Sequence, residues 1–216
     1  MKKDQRPSYD HVPMVVIKRL PKYYRYLGEL VEKKLERISS QKLAQMMDIS
    51  ASQLRQDLNH FGEFGQQGYG YRVEDLYQEI GKIIGLEYQY NMVIVGAGNL
   101  GRALANYSNF CLRGFCLWAL FDIDPELVGL NVNGIGIKDI SELHDFVAEN
   151  NISIGIITVP KEAAQGVADR LVAAGVKGIW NFAPVDIKVP DSIILENEHL
   201  ADSLMVLSFR LRGKMG

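Results

Sequence analysis

At 216 residues the chain is long enough for one or two domains, and it shows no internal repeat or low-complexity segment. Its two cysteines and four scattered histidines exclude a disulfide framework and a zinc pattern, and Cys111 and Cys116 read as reduced packing residues. The net charge of −2 conceals an asymmetry: residues 1–72 hold 13 Lys/Arg against 8 Asp/Glu, a net of +5, whereas residues 73–216 hold 11 against 18, a net of −7. A basic head suggests a polyanion partner, and an acidic body excludes an all-over coat of nucleic acid. The start does not resemble a signal peptide and no run approaches the ~20 apolar residues of a membrane span, so a cytoplasmic protein is expected.

Residues 1–12 are polar, carry Lys2, Lys3 and Arg6, and read as a loose arm. A helix follows, with Leu20, Tyr24, Leu27, Val31 and Leu35 on one face and Pro21 at or near its start, after a short preceding helix. Ser39 or Ser40 can cap a short helix from Gln41 to Met47. Asp48-Ile49-Ser50 then makes a turn, and a further helix runs from about Ala51 to His60. Short helix, tight turn and second helix is the helix-turn-helix arrangement. In the second helix Ala51, Leu54, Leu58 and Phe61 share one face. The opposite side carries Ser52, Gln56 and Asn59, flanked by Gln53 and Arg55, which suits readout of base edges in a major groove. Phe64 to Tyr71, rich in glycine and aromatics, reads as a hairpin, the wing of a winged helix. Such patterns are degenerate, and a plain three-helix cap with a solvated polar face is the alternative. Residues 41–72 are locally neutral, so the basic excess of residues 1–40 would hold phosphates without reading sequence.

Val73 to Gly85 reads as a linking helix. From Tyr90 strands and helices alternate: strand Tyr90–Val95, helix Asn99–Ser108, strand Cys116–Asp122, helix Ile140–Glu149, strand Ile152–Thr158, helix Glu162–Ala173 and strand Gly178–Trp180. This predicts an α/β fold with a doubly wound parallel sheet. The first strand runs into Gly96-Ala97-Gly98-Asn99-Leu100-Gly101-Arg102, and Asp122 lies 21 positions beyond Gly101. Strand, G-x-G-x-x-G turn, helix and a second strand ending in an acid is the layout of a dinucleotide site. Gly96 permits the tight turn, Gly98 lets backbone approach a pyrophosphate, and Gly101 lets the helix pack on its strand. Asp122 can accept the adenosine ribose hydroxyls and repel a 2′-phosphate, favouring NAD(H). Thr158, Val159 and Pro160 lie at the same sheet end, where ligands bind in such folds, as does the turn Asn181-Phe182-Ala183-Pro184.

No catalytic set is visible. His11 and His60 belong to the first domain, His144 lies on a mid-sheet helix, His199 opens the last helix, and Lys161 and Tyr107 are isolated. The last segment, His199 to Arg212, is apolar on more than one side, which points to burial against a partner subunit; a helix sunk in its own domain is the alternative. Boundaries of 1–85 for the DNA-binding domain with its linking helix, 86–196 for the dinucleotide domain and 197–216 for a dimerisation helix follow.

Together these pieces resemble the Rex family of bacterial redox-sensing transcriptional repressors. The resemblance is carried by Pro21-Lys-Tyr-Tyr-Arg-Tyr-Leu27, Ser52-Gln-Leu-Arg-Gln-Asp-Leu58, Phe61-Gly-Glu-Phe-Gly65, Gly68-Tyr-Gly-Tyr71 and the Gly96–Gly101 turn. Phe121-Asp-Ile-Asp-Pro125, Thr158-Val-Pro160 and Asn181-Phe-Ala-Pro184 extend it over nearly the whole chain. It implies a homodimer with winged-helix and NAD-binding domains, joined by exchanged C-terminal helices. It also implies binding of palindromic operator DNA when NADH is scarce, release when NADH accumulates, and no catalysis and no metal. Recognition falls on Arg55 and Ser52 among the DNA-facing set of Ser52, Gln53, Arg55, Gln56 and Asn59. Pyrophosphate contact falls on Gly96–Gly101, and coupling across the dimer on Tyr107, His199 and Leu200. Three positions depart from the family pattern. Gln56 stands where Lys is usual, Gln66 and Gln67 stand in a usually basic wing, and His199-Leu200 replaces an acid followed by an aromatic. Each lost cation removes a phosphate contact or a base-directed donor. From the residues alone two other functions stay open: a small NAD(P)-dependent oxidoreductase with a helical dimerisation cap, and a nucleotide-binding regulator that has lost DNA binding.

Overall fold

The computed structural model describes residue 9 and residues 11–62, 64–65 and 69–214. The chain divides after Tyr88 into two units, each with its own hydrophobic core.

The first unit contains α1 (Met14–Ile17), α2 (Leu20–Glu32), β1 (Arg37–Ile38), α3 (Ser40–Met46), α4 (Ala51–Asn59), β2 (Tyr71–Arg72) and α5 (Val73–Ile83). Pro21 sits in the first turn of α2, where its missing N–H removes no helical hydrogen bond. The buried stripe of α2 is Leu20, Tyr23, Leu27 and Leu30. It runs one residue behind the expected Tyr24 and Val31, which are half-buried beside it, and Leu35 lies beyond the helix end. Tyr24 is displaced from the stripe for a reason. Its ring stacks on Tyr77 of α5 at 4.3 Å, Tyr77 covers Gly28 of α2, and Tyr24 covers Gly81 of α5. A Cβ at Gly28 or Gly81 would lie 3.3 or 3.1 Å from the facing ring, so the two glycines set the helix separation. The expected linking helix α5 buries Val73, Leu76 and Ile80 in this core, which makes it an integral part of the first unit. The expected loose arm also ends packed: Val12 is buried and Tyr9 meets Phe61 edge-on at 5.2 Å. Lys2, Lys3 and Arg6 lie outside the described residues.

Both central helices carry serine caps, Ser39 as expected and Ser50, read only as a turn residue, in addition. Ser39 Oγ accepts from Lys42 N at 3.2 Å to start α3, and Ser50 Oγ accepts from Gln53 N at 3.0 Å to start α4. Between them Asp48 takes a left-handed conformation (φ 54°) and Ile49 N returns to Ala44 O at 3.1 Å, closing the turn as a Schellman motif. The expected wing is bounded but only partly described. Gly65 and Gly70 face each other, and β2 pairs antiparallel with β1 (Ile38 opposite Tyr71). Gln66 and Gln67 lie outside the described residues.

The second unit contains β3 (Tyr90–Val95), α6 (Asn99–Ala105), β4 (Phe115–Asp122), β5 (Asn131–Val132), β6 (Ile135–Asp139), α7 (Leu143–Glu149), β7 (Ile154–Ile157), α8 (Lys161–Ala174), β8 (Gly178–Asn181), β9 (Ile194–Asn197) and α9 (Leu200–Arg212). The sheet order is β5-β6-β4-β3-β7-β8-β9, parallel throughout except for β5 against β6. Without β5 this is the 3-2-1-4-5-6 order of dinucleotide-binding sheets, whose strand order reverses between β3 and β7. Met92, Val93, Ile94 and Val95 are buried on both faces in alternation. Val93 and Val95 belong to the core with α7 and α8, and Met92 and Ile94 to the core with α6.

One expectation fails in this unit, and strands β5 and β6 were not read from the sequence. Between β4 and the expected helix over 140–149 the chain folds the β5–β6 hairpin on Asn133-Gly134, with φ of 53° and 81°. Asn-Gly is the strongest short hairpin signal and was present to be read. Cys111 is exposed rather than packed. Cys116 is half-buried and its Sγ meets Gln89 Nε2 at 3.1 Å. A hydrogen bond with Cys116 pushes the Cys111 thiol above the usual cysteine range.

Helix α9 buries none of its residues in the single chain. Leu204 is 66 % exposed and Phe209 79 %, which overturns the alternative of a helix sunk in its own domain. Among the described residues, no helix is long and apolar enough to cross a membrane.

Candidate functional site

The glycine turn sits at the C-terminal end of β3, beside the end of β7 where the strand order reverses. Gly96 adopts φ 104°, and a Cβ there would lie 2.8 Å from the Thr158 carbonyl oxygen. Thr158 closes the turn from the neighbouring strand: its Oγ1 donates to Gly96 O at 2.7 Å, and its N–H donates to Val95 O at 2.9 Å. Gly101 is packed still more tightly. A Cβ on it would overlap the Gly96 carbonyl oxygen and lie 2.9 Å from Thr158 Oγ1. Gly98 is different, because a Cβ on it would meet nothing within 4 Å. Gly96 and Gly101 are therefore demanded by the protein itself, and Gly98 leaves open space in front of the turn, as a cradle for a pyrophosphate requires.

Asp122 terminates β4 next to this turn. One carboxylate oxygen accepts from Ala97 N at 2.6 Å, and the other accepts from Ile123 N at 2.8 Å and Asp124 N at 3.0 Å. The sequence offered Asp122 as a ribose acceptor; its internal role of tying the glycine turn to β4 was not foreseen. Each carboxylate oxygen has more than one acceptor position, so these bonds leave capacity for a hydroxyl. Ala97 is buried, Gly98 and Asn99 are exposed, and Leu100 and Arg102 are half-buried. Val159 is half-buried and Pro160 exposed at the same sheet end. The fit to a dinucleotide is thus a steric and hydrogen-bonding one, made by a locked turn, an open Gly98 and an acid beside it.

In the first unit Ser52, Arg55, Gln56 and Asn59 of α4 are exposed and Gln53 is half-buried, so the expected polar face stands outward. Arg55 is already ordered: its Nη1 donates to Ser40 Oγ at 3.0 Å, across to the first residue of α3. The buried face holds Leu54 and Leu58 as expected, and also Asp57, 3 % exposed. In the sequence Asp57 entered only the charge balance of residues 41–72, and its place between Leu54 and Leu58 puts it on the apolar side of the helix. Part of the basic head is likewise consumed internally. Arg19 pairs with Asp57, and Lys22 Nζ donates to Met47 O at 2.6 Å.

The residues expected to couple two subunits lie in the second unit. Tyr107 is 46 % exposed and packs edge-on against Phe110 at 4.9 Å. Its phenol lies below the usual tyrosine range because Asn109, then Arg113, hydrogen-bond to it. His199 is the residue before α9 and its Nε2 meets Asp186 Oδ1 at 3.1 Å, while Leu200 is 57 % exposed. Asn181, expected near the ligand, is fully buried and structural: Nδ2 donates to Val185 O and Asn197 Oδ1, both at 2.8 Å, and Oδ1 accepts from Ala183 N at 3.0 Å.

A helix-turn-helix unit followed by a dinucleotide-type sheet defines a ligand-responsive DNA-binding regulator. Family models agree with this division: "Putative DNA-binding protein N-terminus" matches residues 11–59 and "CoA binding domain" matches residues 87–185. The redox-sensing transcriptional repressor Rex of Thermoanaerobacter sp. (strain X514) is 56 % identical over 93 % of this chain and 89 % of its own length. That of Clostridium novyi (strain NT) is 52 % identical over 94 % and 97 %. Among solved structures, RSP in complex with β-NAD⁺ and operator DNA superposes with a TM-score of 0.90 at 55 % identity, covering 94 % of both chains. RSP in complex with β-NADH superposes with a TM-score of 0.87 at 52 % identity, covering 94 % of this chain and 96 % of its own. The chain belongs to the Rex family of redox-sensing transcriptional repressors. These relatives are repressors rather than enzymes, which removes the oxidoreductase alternative.

Proposed function

We propose that this protein acts in the cytoplasm as a homodimeric repressor that holds palindromic operator DNA and releases it when NADH accumulates. The observation that carries the reading is the joint presence, in one chain, of an outward polar face on α4 and a locked glycine turn with open space at Gly98. The relatives with which the chain shares over half its residues include one solved with NAD⁺ and operator DNA. Residues 1–85 are the DNA-binding part, 86–196 the dinucleotide part and 197–216 the dimerisation helix. Two exposed α9 helices, exchanged between subunits, cover each other's apolar surface. Tyr107, His199 and Leu200 carry the state of one nucleotide site across that interface. Operator selection from random duplexes with NAD⁺, NADH or no nucleotide tests the whole reading; recovery of no preferred sequence under any of the three conditions overturns it.

Within this reading Gly96–Arg102 hold the pyrophosphate, Thr158–Pro160 border the nicotinamide side, and Asp122 holds the adenosine ribose. A carboxylate at Asp122 favours free ribose hydroxyls over the ribose phosphates of NADP(H) or coenzyme A, since two anions within hydrogen-bond distance repel. Asp122→Ala is expected to weaken NADH binding by about 1–3 kcal/mol and to narrow the preference against NADPH. The loss has two sources, the ribose contact and the freed Ala97 N–H. Titration by nicotinamide fluorescence measures it, and unchanged affinity for both cofactors would remove Asp122 from the site.

Arg55 is the base-reading cation, held in place by Ser40. Arg55→Ala is expected to cost about 1–3 kcal/mol on the selected operator and to relax base preference at the position it reads. Gln56→Lys is expected to tighten binding to all duplexes and to steepen the salt dependence by about one counterion. Fluorescence anisotropy over a salt series checks both. Undiminished operator affinity in Arg55→Ala would remove Arg55 from the base-reading set.

A further inference from the structure

Among the described residues of the first unit, Asp57 is the one buried charged side chain, and it lies in the last turn of α4. Its carboxylate is taken from three directions. Arg19 Nη2 donates to Oδ1 at 2.6 Å, and Arg19 Nε donates to Oδ2 at 2.6 Å. The Tyr23 hydroxyl donates to Oδ2 at 2.5 Å. Burial, and then the adjacent carboxylate, hold the Tyr23 phenol above the usual tyrosine range, so it stays a donor. Both partners come from the start of α2: Arg19 is its N-cap residue and Tyr23 lies one turn in. Lys22, from the same turn, donates to Met47 O at the end of α3. A single turn of chain therefore grips both helices of the helix-turn-helix, α3 at its C-terminus and α4 in its last turn.

The apolar contacts of Leu54 and Leu58 resist removal of α4 from the core but resist rotation about its own axis weakly, because burial is non-directional. A two-pronged guanidinium–carboxylate pair is directional and fixes both rotation and register. A buried ion pair contributes little net stability compared with an apolar set of equal volume, so its distinctive contribution is geometric. Base readout needs such geometry, because side chains must meet base edges to within about half an ångström.

We propose that Asp57, clamped by Arg19 and Tyr23, is a positioning residue for sequence readout, which sets the rotation of α4 that presents Ser52, Arg55, Gln56 and Asn59 to DNA. The inference rests on the operator-binding reading above. It separates two properties that a simple loss of folding would lower together. Affinity for random duplex comes from phosphates and tolerates a misaimed helix; the ratio of operator to random affinity does not.

The test uses the full-length protein and the selected operator at one salt concentration, with Asp57→Asn, Arg19→Lys and Tyr23→Phe. The operator-to-random affinity ratio is measured beside NADH affinity and thermal unfolding. In Asp57→Asn and Arg19→Lys the ratio is expected to fall at least about tenfold, with random-duplex affinity within about threefold of wild type and NADH affinity unchanged. Tyr23→Phe, which keeps the ion pair, is expected to lose a few-fold. If Asp57→Asn does not fold, the same ratio in the other two variants decides. An unchanged ratio in the folded variants overturns the inference, as does an equal loss on operator and random duplex. A wild-type protein with no operator preference would instead overturn the reading on which it rests.

Discussion

A Gly98→Val protein is expected to fold normally, hold operator DNA and ignore NADH. The backbone at Gly98 (φ −70°, ψ −165°) is extended and open to any residue, and a Cβ there meets nothing within 4 Å, so the free chain loses little. The branched side chain occupies the space assigned to the pyrophosphate, and NADH affinity should fall by about 3 kcal/mol or more, since a fixed atom inside a ligand's volume cannot relax away. Gly101→Ala makes the contrast. Its Cβ would fall on the Gly96 carbonyl oxygen, so it should lose the nucleotide and also about 1–3 kcal/mol of stability through overpacking. NADH fluorescence titration and thermal unfolding of both variants separate the two causes. Wild-type NADH affinity in Gly98→Val would remove the glycine turn as the nucleotide site.

Operator affinity is expected to fall at least about tenfold further in saturating NADH than in saturating NAD⁺, because only a difference in affinity between DNA-binding and DNA-free forms moves the equilibrium. Carrying a dimer from 1:99 to 99:1 takes roughly 5.5 kcal/mol, or ~2.7 kcal/mol for each of two sites. The chemical difference is one charge on the nicotinamide ring. Val159, Pro160 and the partner subunit's Leu200 would offer that ring an apolar setting, where a cation is costly to desolvate and the neutral reduced ring is not. By linkage, operator DNA must weaken NADH binding by the same factor. Anisotropy titrations under each nucleotide measure one direction, and NADH titration with and without operator measures the other. Equal operator affinities under both saturated nucleotides would sink the redox-sensing reading even if both bind.

What was legible in the sequence followed from local chemistry. Ser39 and Pro21 mark helix starts because their side chains act on the backbone beside them. The strand–glycine–helix–acid order could be read because each glycine answers a local steric demand. What was missed depends on contacts far apart in the chain. The spacing of Leu54 and Leu58 puts Asp57 on the apolar side of α4, but what holds its charge there depends on Arg19 and Tyr23, which arrive from the start of α2, 38 and 34 residues away. The internal duty of Asp122 needs the register of β3 against β4, which brings Ala97 to its carboxylate. Thr158 was placed at the right end of the sheet, yet its hydroxyl locks Gly96 rather than pointing only to a ligand. The β5–β6 hairpin is the exception, since Asn133-Gly134 is a local signal that the reading of 123–139 left unassigned.

The wholly exposed α9 has a consequence in mass action. Its large apolar side chains, from Leu200 to Leu211, contribute nothing to the free energy of a lone chain, although each is worth about 1.5–3 kcal/mol once fully buried. On the dimeric reading that stabilisation exists only in the assembled state, so folding and assembly share one equilibrium and depend on protein concentration. Dilution would then act on the repressor independently of its ligand. A cell could set the depth of repression through the number of copies it makes, a control distinct from the nucleotide pool, with the C-terminal helix as the element that measures it.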